Sequence, residues 1–188
     1  AARGTCDVRI YSAAVVDPSF DARFSALGRS YAYRVSDRPE PLGRWDRLWV
    51  EEPLDEAAMN EAGAALLGEH DFLGFCRPRE GATTIRTLRT LLAERDAEGT
   101  LVFRVEADAF CHSMVRSLVG ALLLVGSGAR DVTYPVQILR ARSRSEAAPI
   151  APAHGLTLEG VEYPDPSQWS ARAEQARARR DTCCGDDG

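Results

Sequence analysis

The strongest candidate for chemistry is Arg116, which lies inside the most apolar stretch of the chain, residues 109 to 126. A guanidinium in an apolar helix costs several kcal/mol unless an anion pairs with it. If the whole stretch is one helix, His112 and Ser113 lie one turn before Arg116 and share its polar patch. Two interpretations remain open: a buried ion pair with an internal carboxylate, or an arginine that clamps a phosphate or orients a catalytic carboxylate.

A second candidate is Tyr31, in the segment RSYAYRVS. Its alternation predicts a strand over residues 29 to 36, with Tyr31, Tyr33 and Val35 on one face. Cross-strand packing is the common role of such a tyrosine. The alternative is an aromatic platform for a base that has left its stack, as enzymes acting on nucleic acids provide.

The charge balance bears on nucleic-acid binding in two ways. The net charge is −5, and all 23 basic residues are arginine. A negative total argues mildly against a nucleic-acid partner, because phosphates attract basic surfaces. Arginine suits bidentate phosphate recognition, although a coding bias also explains its exclusive use. The candidates for phosphate contacts are Arg23, Arg29, Arg77 and Arg86.

Several functional classes find no support in the residues. The five cysteines contain no CxxC pair and suit a reducing cytosol better than a disulfide framework. The three histidines have no zinc-ligand spacing, and no hydrolase triad, phosphate loop or dinucleotide motif is present. A membrane span over 109 to 126 would bury Arg116 and His112, so a core helix is expected there. We therefore expect a cytoplasmic protein that uses no metal or cofactor.

These candidates need a scaffold of strands and helices to position them. Segments that are β-rich or alternate between apolar and polar residues predict strands over residues 7–16, 29–36, 85–95, 100–107 and 156–163, and helical patterns cover 54–67, 109–126 and 132–143. Residues 70 to 84 have loop composition. We predict an α+β fold, a mixed and largely antiparallel sheet with helices packed on one face. Residues 1–164 form the core, and residues 165–188 form a polar tail, either a frayed helix or disordered.

Four segments, in order, resemble the TruA-type tRNA pseudouridine synthases. They are FDARFSALGRSYAYRV (20–35), HDFLGFCR (70–77), DAFCHSMVRSLVGALLLVG (108–126) and APAHGLTLEGVEYP (151–164). The resemblance runs from about residue 7 to residue 164. One such match could arise by chance, but four in the right order are very hard to explain that way. The chain is accordingly identified as a member of this family.

The resemblance implies an enzyme that isomerises uridine to pseudouridine in the anticodon stem-loop of tRNA, without cofactor or metal. Family members are cytoplasmic homodimers whose nucleophile is the aspartate of a Gly-Arg-Thr-Asp motif. That motif is absent from this sequence. The chain therefore resembles a C-terminal portion, and we expect it to be inactive without an upstream half that bears the aspartate.

The resemblance also assigns roles to individual positions. Tyr31 matches the tyrosine that packs against the target base and helps to remove its C5 proton. Arg116 matches the arginine that pairs with the nucleophilic aspartate, and Leu156 matches a leucine that lines the base pocket. His112 matches a histidine of the same segment and joins the four arginines as a candidate RNA contact.

Two other functions are compatible with the same residues. The chain could be a non-catalytic RNA-binding module that uses the same groove, which predicts salt-dependent tRNA binding by the chain alone. It could also be a structural subunit, which predicts an exposed apolar patch where missing strands would pair.

Overall fold

Six strands form one sheet at the centre of the computed structural model, which describes residues 8–77, 79, 82–143 and 147–181. The strands are β1 (Gly28–Ser36), β2 (Leu48–Trp49), β3 (Gly68–Asp71), β4 (Ile85–Arg95), β5 (Leu101–Ala107) and β6 (Leu156–Glu162). Their order is β2-β1-β5-β4-β3, and β6 also pairs with β1. Only β1 and β2 run parallel among these pairs. The predicted mixed, largely antiparallel sheet is confirmed.

Three helices cover one face of this sheet. They are α1 (Glu56–Ala64), which lies against β4, α2 (Met114–Gly126), which lies against β1, and α3 (Tyr134–Ala141). Helix α3 packs against both α1 and α2. On the covered face Tyr33, Phe103 and Ala93 stand in one row and are buried, which explains the alternation seen in the sequence. The opposite face carries ion pairs, such as Arg104 with Glu94. None of the helices in the described ranges has the length and apolarity that a membrane span requires.

The strand predicted over residues 7–16 is wrong for the part that the structure describes. Residues 8 to 16 have no regular secondary structure, and the side chains of Ile10, Tyr11 and Val15 are at least 82% exposed. Residues with high β propensity form a strand only where a neighbouring strand supplies backbone partners and a surface to pack on. Within the described ranges no strand pairs with this segment.

A second correction concerns the segment after α1. The loop predicted from residue 70 begins instead with strand β3, where His70 pairs with Arg86 and Asp71 with Ile85. Gly68 starts this strand with φ +102°, while α1 already ends at Ala64, before the end of the helix predicted over 54–67. Pairing with the long strand β4 imposes extended geometry on residues whose own pattern is not that of a strand.

Beyond Pro164 the chain forms a helix, one of the two alternatives considered for that segment. Helix α4 (Trp169–Asp181) packs against residues 20 to 26, and Ala173 is only 2% exposed. Its first residue, Trp169, contacts Phe20 with the ring centroids 4.7 Å apart. Residues 182 to 188 of the predicted tail lie outside the described residues.

The close approach of α2 to the segment before β6 requires glycine at position 120. A β-carbon there would overlap the carbonyl oxygen of Pro149, a backbone atom that cannot turn away. We expect Gly120→Ala to lower the free energy of unfolding by about 3 kcal/mol, because helix and segment must move apart. Urea denaturation followed by circular dichroism measures this change.

The matched control is Gly126→Ala, on the same helix. A β-carbon at Gly126 would meet the side chain of Met59, whose sulfur lies 2.7 Å away but can change rotamer. Alanine also favours a helix over glycine by about 1 kcal/mol, which offsets the repacking. The free energy of unfolding should change by less than about 1 kcal/mol. Equal losses in the two variants would show that the Pro149 contact does not set the requirement.

Candidate active site

An arginine-rich cleft of about 670 Å³ opens beside β1. Among the described residues, six arginines line it against two carboxylates, Glu69 and Asp108. The arginines are Arg23, Arg29, Arg77, Arg79, Arg86 and Arg172. This local excess of positive charge contrasts with the net charge of −5 of the whole chain. A concave surface with such a lining attracts a polyanion.

Tyr31 supplies the cleft with an aromatic surface. It is half-buried on β1, and the edge of its ring meets Phe110 with the centroids 5.2 Å apart and the planes at 89°. Asp108 holds the turn that carries Phe110, because its carboxylate accepts from the backbone N–H groups of Thr87 and Ala109, both at 2.8 Å. The Tyr31 ring is therefore supported from the side and can stack on a planar ligand.

Arg116 lies on α2, half-buried, beside the segment that leads into β6. Its Nε donates to the carbonyl oxygen of Ala151, and the Ala151 N–H donates back to the Arg116 carbonyl at 3.1 Å. No carboxylate of the described residues forms an ion pair with it. The interpretation of Arg116 as one half of an internal ion pair thus finds no partner in this part of the chain.

Tyr33 lies between Arg116 and the start of β6. It is fully buried, and its hydroxyl donates to the Pro152 carbonyl oxygen at 2.7 Å. Burial raises the pKa of Tyr33 to about 12, although the nearby Arg116 guanidinium acts in the opposite direction. The hydroxyl therefore stays protonated at neutral pH and serves as a permanent hydrogen-bond donor.

Leu156 begins β6 and pairs with Tyr33 across the strands. Gly155, just before it, packs so closely on the Tyr33 ring that a β-carbon would lie 2.9 Å from it. All three catalytic candidates thus lie around positions 31 to 33 of β1. Tyr31 lines the cleft, whereas Arg116 and Leu156 are next to Tyr33 and are not part of the lining.

The predicted alignment of His112 with Arg116 on one helix face is wrong. Helix α2 begins at Met114 instead of residue 109, because Ser113 has left-handed backbone geometry with φ 68°. Contacts of the preceding residues, such as Phe110 with Tyr31, hold them outside the helix. His112 is exposed at the cleft, where the Ser113 hydroxyl lies 3.3 Å from its Nδ1.

The predicted RNA contacts all line the cleft, although their side chains differ in how far they are exposed. Arg77 and Arg23 are exposed, and Arg29 is half-buried with its Nη2 bonded to the Arg23 carbonyl at 2.9 Å. Arg86 is only 9% exposed, and its Nη1 donates to the Ile85 carbonyl oxygen. Arg86 therefore shapes the wall more than it offers charge at the surface.

Sequence reasoning missed several cleft residues, of which Arg172 is the most informative. Arg172 of α4 lines the cleft, yet it lies in the segment interpreted as a polar tail. No motif marks it, and its sequence distance from Arg23 and Arg29 hides their proximity. The aromatic Phe24, which also lines the cleft, was not singled out either.

Two of the five cysteines lie together at the cleft, which their positions in the sequence did not indicate. Cys76 and Cys111 are joined by a disulfide, with their α-carbons 5.7 Å apart. Next to it, the Arg77 N–H donates to the His112 carbonyl at 2.9 Å, so the segments that carry Cys76 and Cys111 are linked at two points. Spacing could not reveal the pair, which is 35 residues apart in sequence. In the described ranges no group of three or more His, Cys, Asp or Glu side chains is arranged to hold a metal ion.

Comparison with known proteins gives a consistent result. A family model described as tRNA pseudouridine synthase matches residues 62–164. The tRNA pseudouridine synthase A of Streptomyces griseus is 53% identical over 181 residues, which cover 94% of this chain and 64% of that protein. The protein of the same name from Frankia casuarinae is 55% identical, over 92% of this chain and 64% of its own length. The protein of the same name from Cutibacterium acnes is 49% identical, over 97% of this chain and 69% of its own length.

Proposed function

The chain belongs to the tRNA pseudouridine synthase family, and on that premise we propose that it is the larger part of an enzyme that isomerises uridine to pseudouridine in tRNA. It spans 64% of the length of the relatives from Streptomyces griseus and Frankia casuarinae. The complete enzyme in this proposal also has an upstream segment that carries the nucleophilic aspartate. The observation that carries the proposal is an arginine-lined cleft that reaches Tyr31, together with an Arg116 that no carboxylate of the described residues pairs with.

Arg116 has the properties that a partner of an incoming aspartate needs. The hydrogen bond that fixes it uses Nε, and no ion pair within the described residues engages its two terminal nitrogens. A guanidinium held in this way can pair with a carboxylate in the bidentate manner and orient it. In the proposed enzyme that carboxylate is the nucleophile, whose pairing would also compensate the cost of a half-buried charge.

Tyr31 and Leu156 would hold the target base in this proposal. The isomerisation breaks the bond between the ribose and N1, turns the uracil and joins C5 to the ribose. The C5 proton leaves and N1 gains a proton, so the overall change consumes no second substrate. Tyr31, supported by Phe110, would stack on the uracil and help to remove that proton. Leu156 would provide an apolar wall next to Tyr33.

The arginines of the cleft would bind the tRNA backbone. Guanidiniums attract phosphates through their permanent positive charge and bind them through several N–H donors. This accounts for an acidic chain that binds RNA, because the charge is concentrated where the ligand lies. We further propose the anticodon stem-loop as the target, a homodimer as the assembly and the cytoplasm as the location, on the strength of the family resemblance.

The decisive experiment measures turnover with and without the upstream segment. Uridine that carries tritium at C5 releases it when C5 bonds to the ribose, so tRNA transcripts labelled in this way report the reaction directly. We expect release by the chain joined to the upstream segment and none by the 188-residue chain alone. An extended protein that binds tRNA but releases no tritium would contradict the enzymatic proposal.

A non-catalytic RNA-binding module is the second candidate. It is favoured by one observation, that the five predicted RNA contacts line a single cleft. It predicts tRNA binding by the 188-residue chain and no turnover by any longer form. The tritium experiment therefore separates the two candidates.

A further inference from the structure

Helix α4 is fastened to residues 20–26, the segment that carries Arg23 and Phe24 into the cleft. The buried Ser25 hydroxyl donates to the Trp169 carbonyl oxygen at 3.2 Å. Arg177 forms an ion pair with Asp21, with Nη2 and Oδ2 2.9 Å apart, and its guanidinium also lies over the Phe24 ring at 5.0 Å. The helix is therefore a fixed part of the wall of the cleft.

Arg172 of this helix faces the cleft with its charge uncompensated. Its Nε donates to the Ala26 carbonyl oxygen at 3.3 Å and its Nη1 to Gln175 Oε1 at 3.4 Å. Both acceptors are neutral, and no carboxylate of the described chain pairs with it. The contrast with Arg177 is informative. Arg177 is paired with a carboxylate and fastens the helix, whereas Arg172 meets only neutral acceptors and lines the cleft.

Two more arginines beside Arg172 share this property. Arg29 donates through Nη2 to the Arg23 carbonyl at 2.9 Å, and the Arg23 guanidinium lies over the Phe24 ring at 5.4 Å. Neither forms an ion pair with a described carboxylate. Arg23, Arg29 and Arg172 are called the α4 cluster below. Three uncompensated guanidiniums on one wall repel one another unless an anion lies between them.

We propose that the α4 cluster binds backbone phosphates of the tRNA, and that α4 thereby extends the substrate-binding surface past residue 164, where the match to the family model ends. This inference rests on the proposed function. Several arginines at one wall match a polymer that carries one phosphate per nucleotide. In this proposal Arg172 binds the RNA backbone, whereas contact with the reacting base is the role of Tyr31.

The test compares Arg172→Gln with Arg172→Lys in the chain joined to the upstream segment. Filter binding to an unmodified tRNA transcript, from 50 to 300 mM salt, yields the Kd and its salt dependence (roughly this range resolves phosphate contacts). Arg172→Gln should raise the Kd about three- to ten-fold and reduce the slope of log Kd against log salt by about 1. Arg172→Lys should stay within about two-fold of wild type, because it keeps the charge.

Comparing these two variants separates charge from packing. Both lose the bond from Nε to Ala26, so an undocked helix would weaken binding in both alike. Arg140→Gln is the matched control, since Arg140 is an exposed arginine of α3 that does not line the cleft. It should leave the Kd and the slope at their wild-type values.

Three outcomes would overturn the inference. The first is an unchanged slope for Arg172→Gln, the second is an equal loss of affinity for glutamine and lysine, and the third is an equal loss for Arg140→Gln. The proposed function is tested separately by tritium release from the wild-type protein. A protein that binds tRNA without turnover would refute the enzyme and still show whether Arg172 contacts the backbone.

Discussion

Replacing Arg116 with alanine is expected to abolish pseudouridine formation while the protein stays folded. In the proposed enzyme the guanidinium holds the nucleophilic carboxylate in its reactive orientation, and removing such a preorganised group costs about 10³-fold in rate. The structural loss is small, because Arg116 contributes one side-chain hydrogen bond, to Ala151, worth about 1 kcal/mol. The measurements are tritium release at saturating tRNA and thermal unfolding.

Two further variants test the role assigned to Arg116. Arg116→Lys keeps the charge but loses the fork that pairs with a carboxylate, so we expect it to recover only part of the rate. Arg140→Ala removes an exposed arginine away from the cleft and should retain full turnover. Wild-type turnover by Arg116→Ala would refute the assignment and leave the internal packing of α2 as the role of this residue.

Replacing Tyr31 with phenylalanine is expected to produce the second large loss. The ring can still stack on the base and on Phe110, but the hydroxyl proposed to help with the C5 proton is gone. General acid–base groups contribute about 10²- to 10⁴-fold, and we expect a fall in that range. The rate constant for tritium release should drop, while the Kd for tRNA stays within about three-fold, because stacking is preserved.

Tyr33→Phe is the matched control, two residues away on the same face of β1. Its hydroxyl is buried and bonded to Pro152, and the side chain does not line the cleft. We expect a loss of about 1 kcal/mol of stability and a turnover within about three-fold of wild type. If Tyr33→Phe lost as much activity as Tyr31→Phe, the hydroxyl of Tyr31 would have no special chemical role.

Much of the fold could be read from local patterns. The patterns in residues 29–36, 85–95 and 100–107 predicted β1, β4 and β5, since each strand has one face toward the helices and one toward solvent. Strand β3 was missed, because its residues are extended only through pairing with β4. For residues 8–16 the error was the opposite one: a strand was predicted from residues of high β propensity, but in the described chain no strand pairs with them.

Part of the candidate site could also be predicted from local sequence patterns. The arginine in an apolar helix and the tyrosine in an alternating strand are anomalies visible within a few residues, so Arg116 and Tyr31 stood out at once. Their proximity to Leu156 was implied by the family resemblance and by no local rule. The link between Cys76 and Cys111, and the left-handed turn at Ser113 that separates His112 from α2, depend on contacts between distant segments.

The amino-acid sequence by itself determined the class of fold, the family and the unusual residues, because periodicity, composition and motif order are properties of neighbouring positions. Only the tertiary structure decided that arginines from four separate stretches of chain share one cleft, and that Arg172 of the supposed tail is among them. The physical reason is that charge acts through space. An acidic chain can present a strongly basic surface once folding gathers its guanidiniums on one side and pairs its other charges elsewhere.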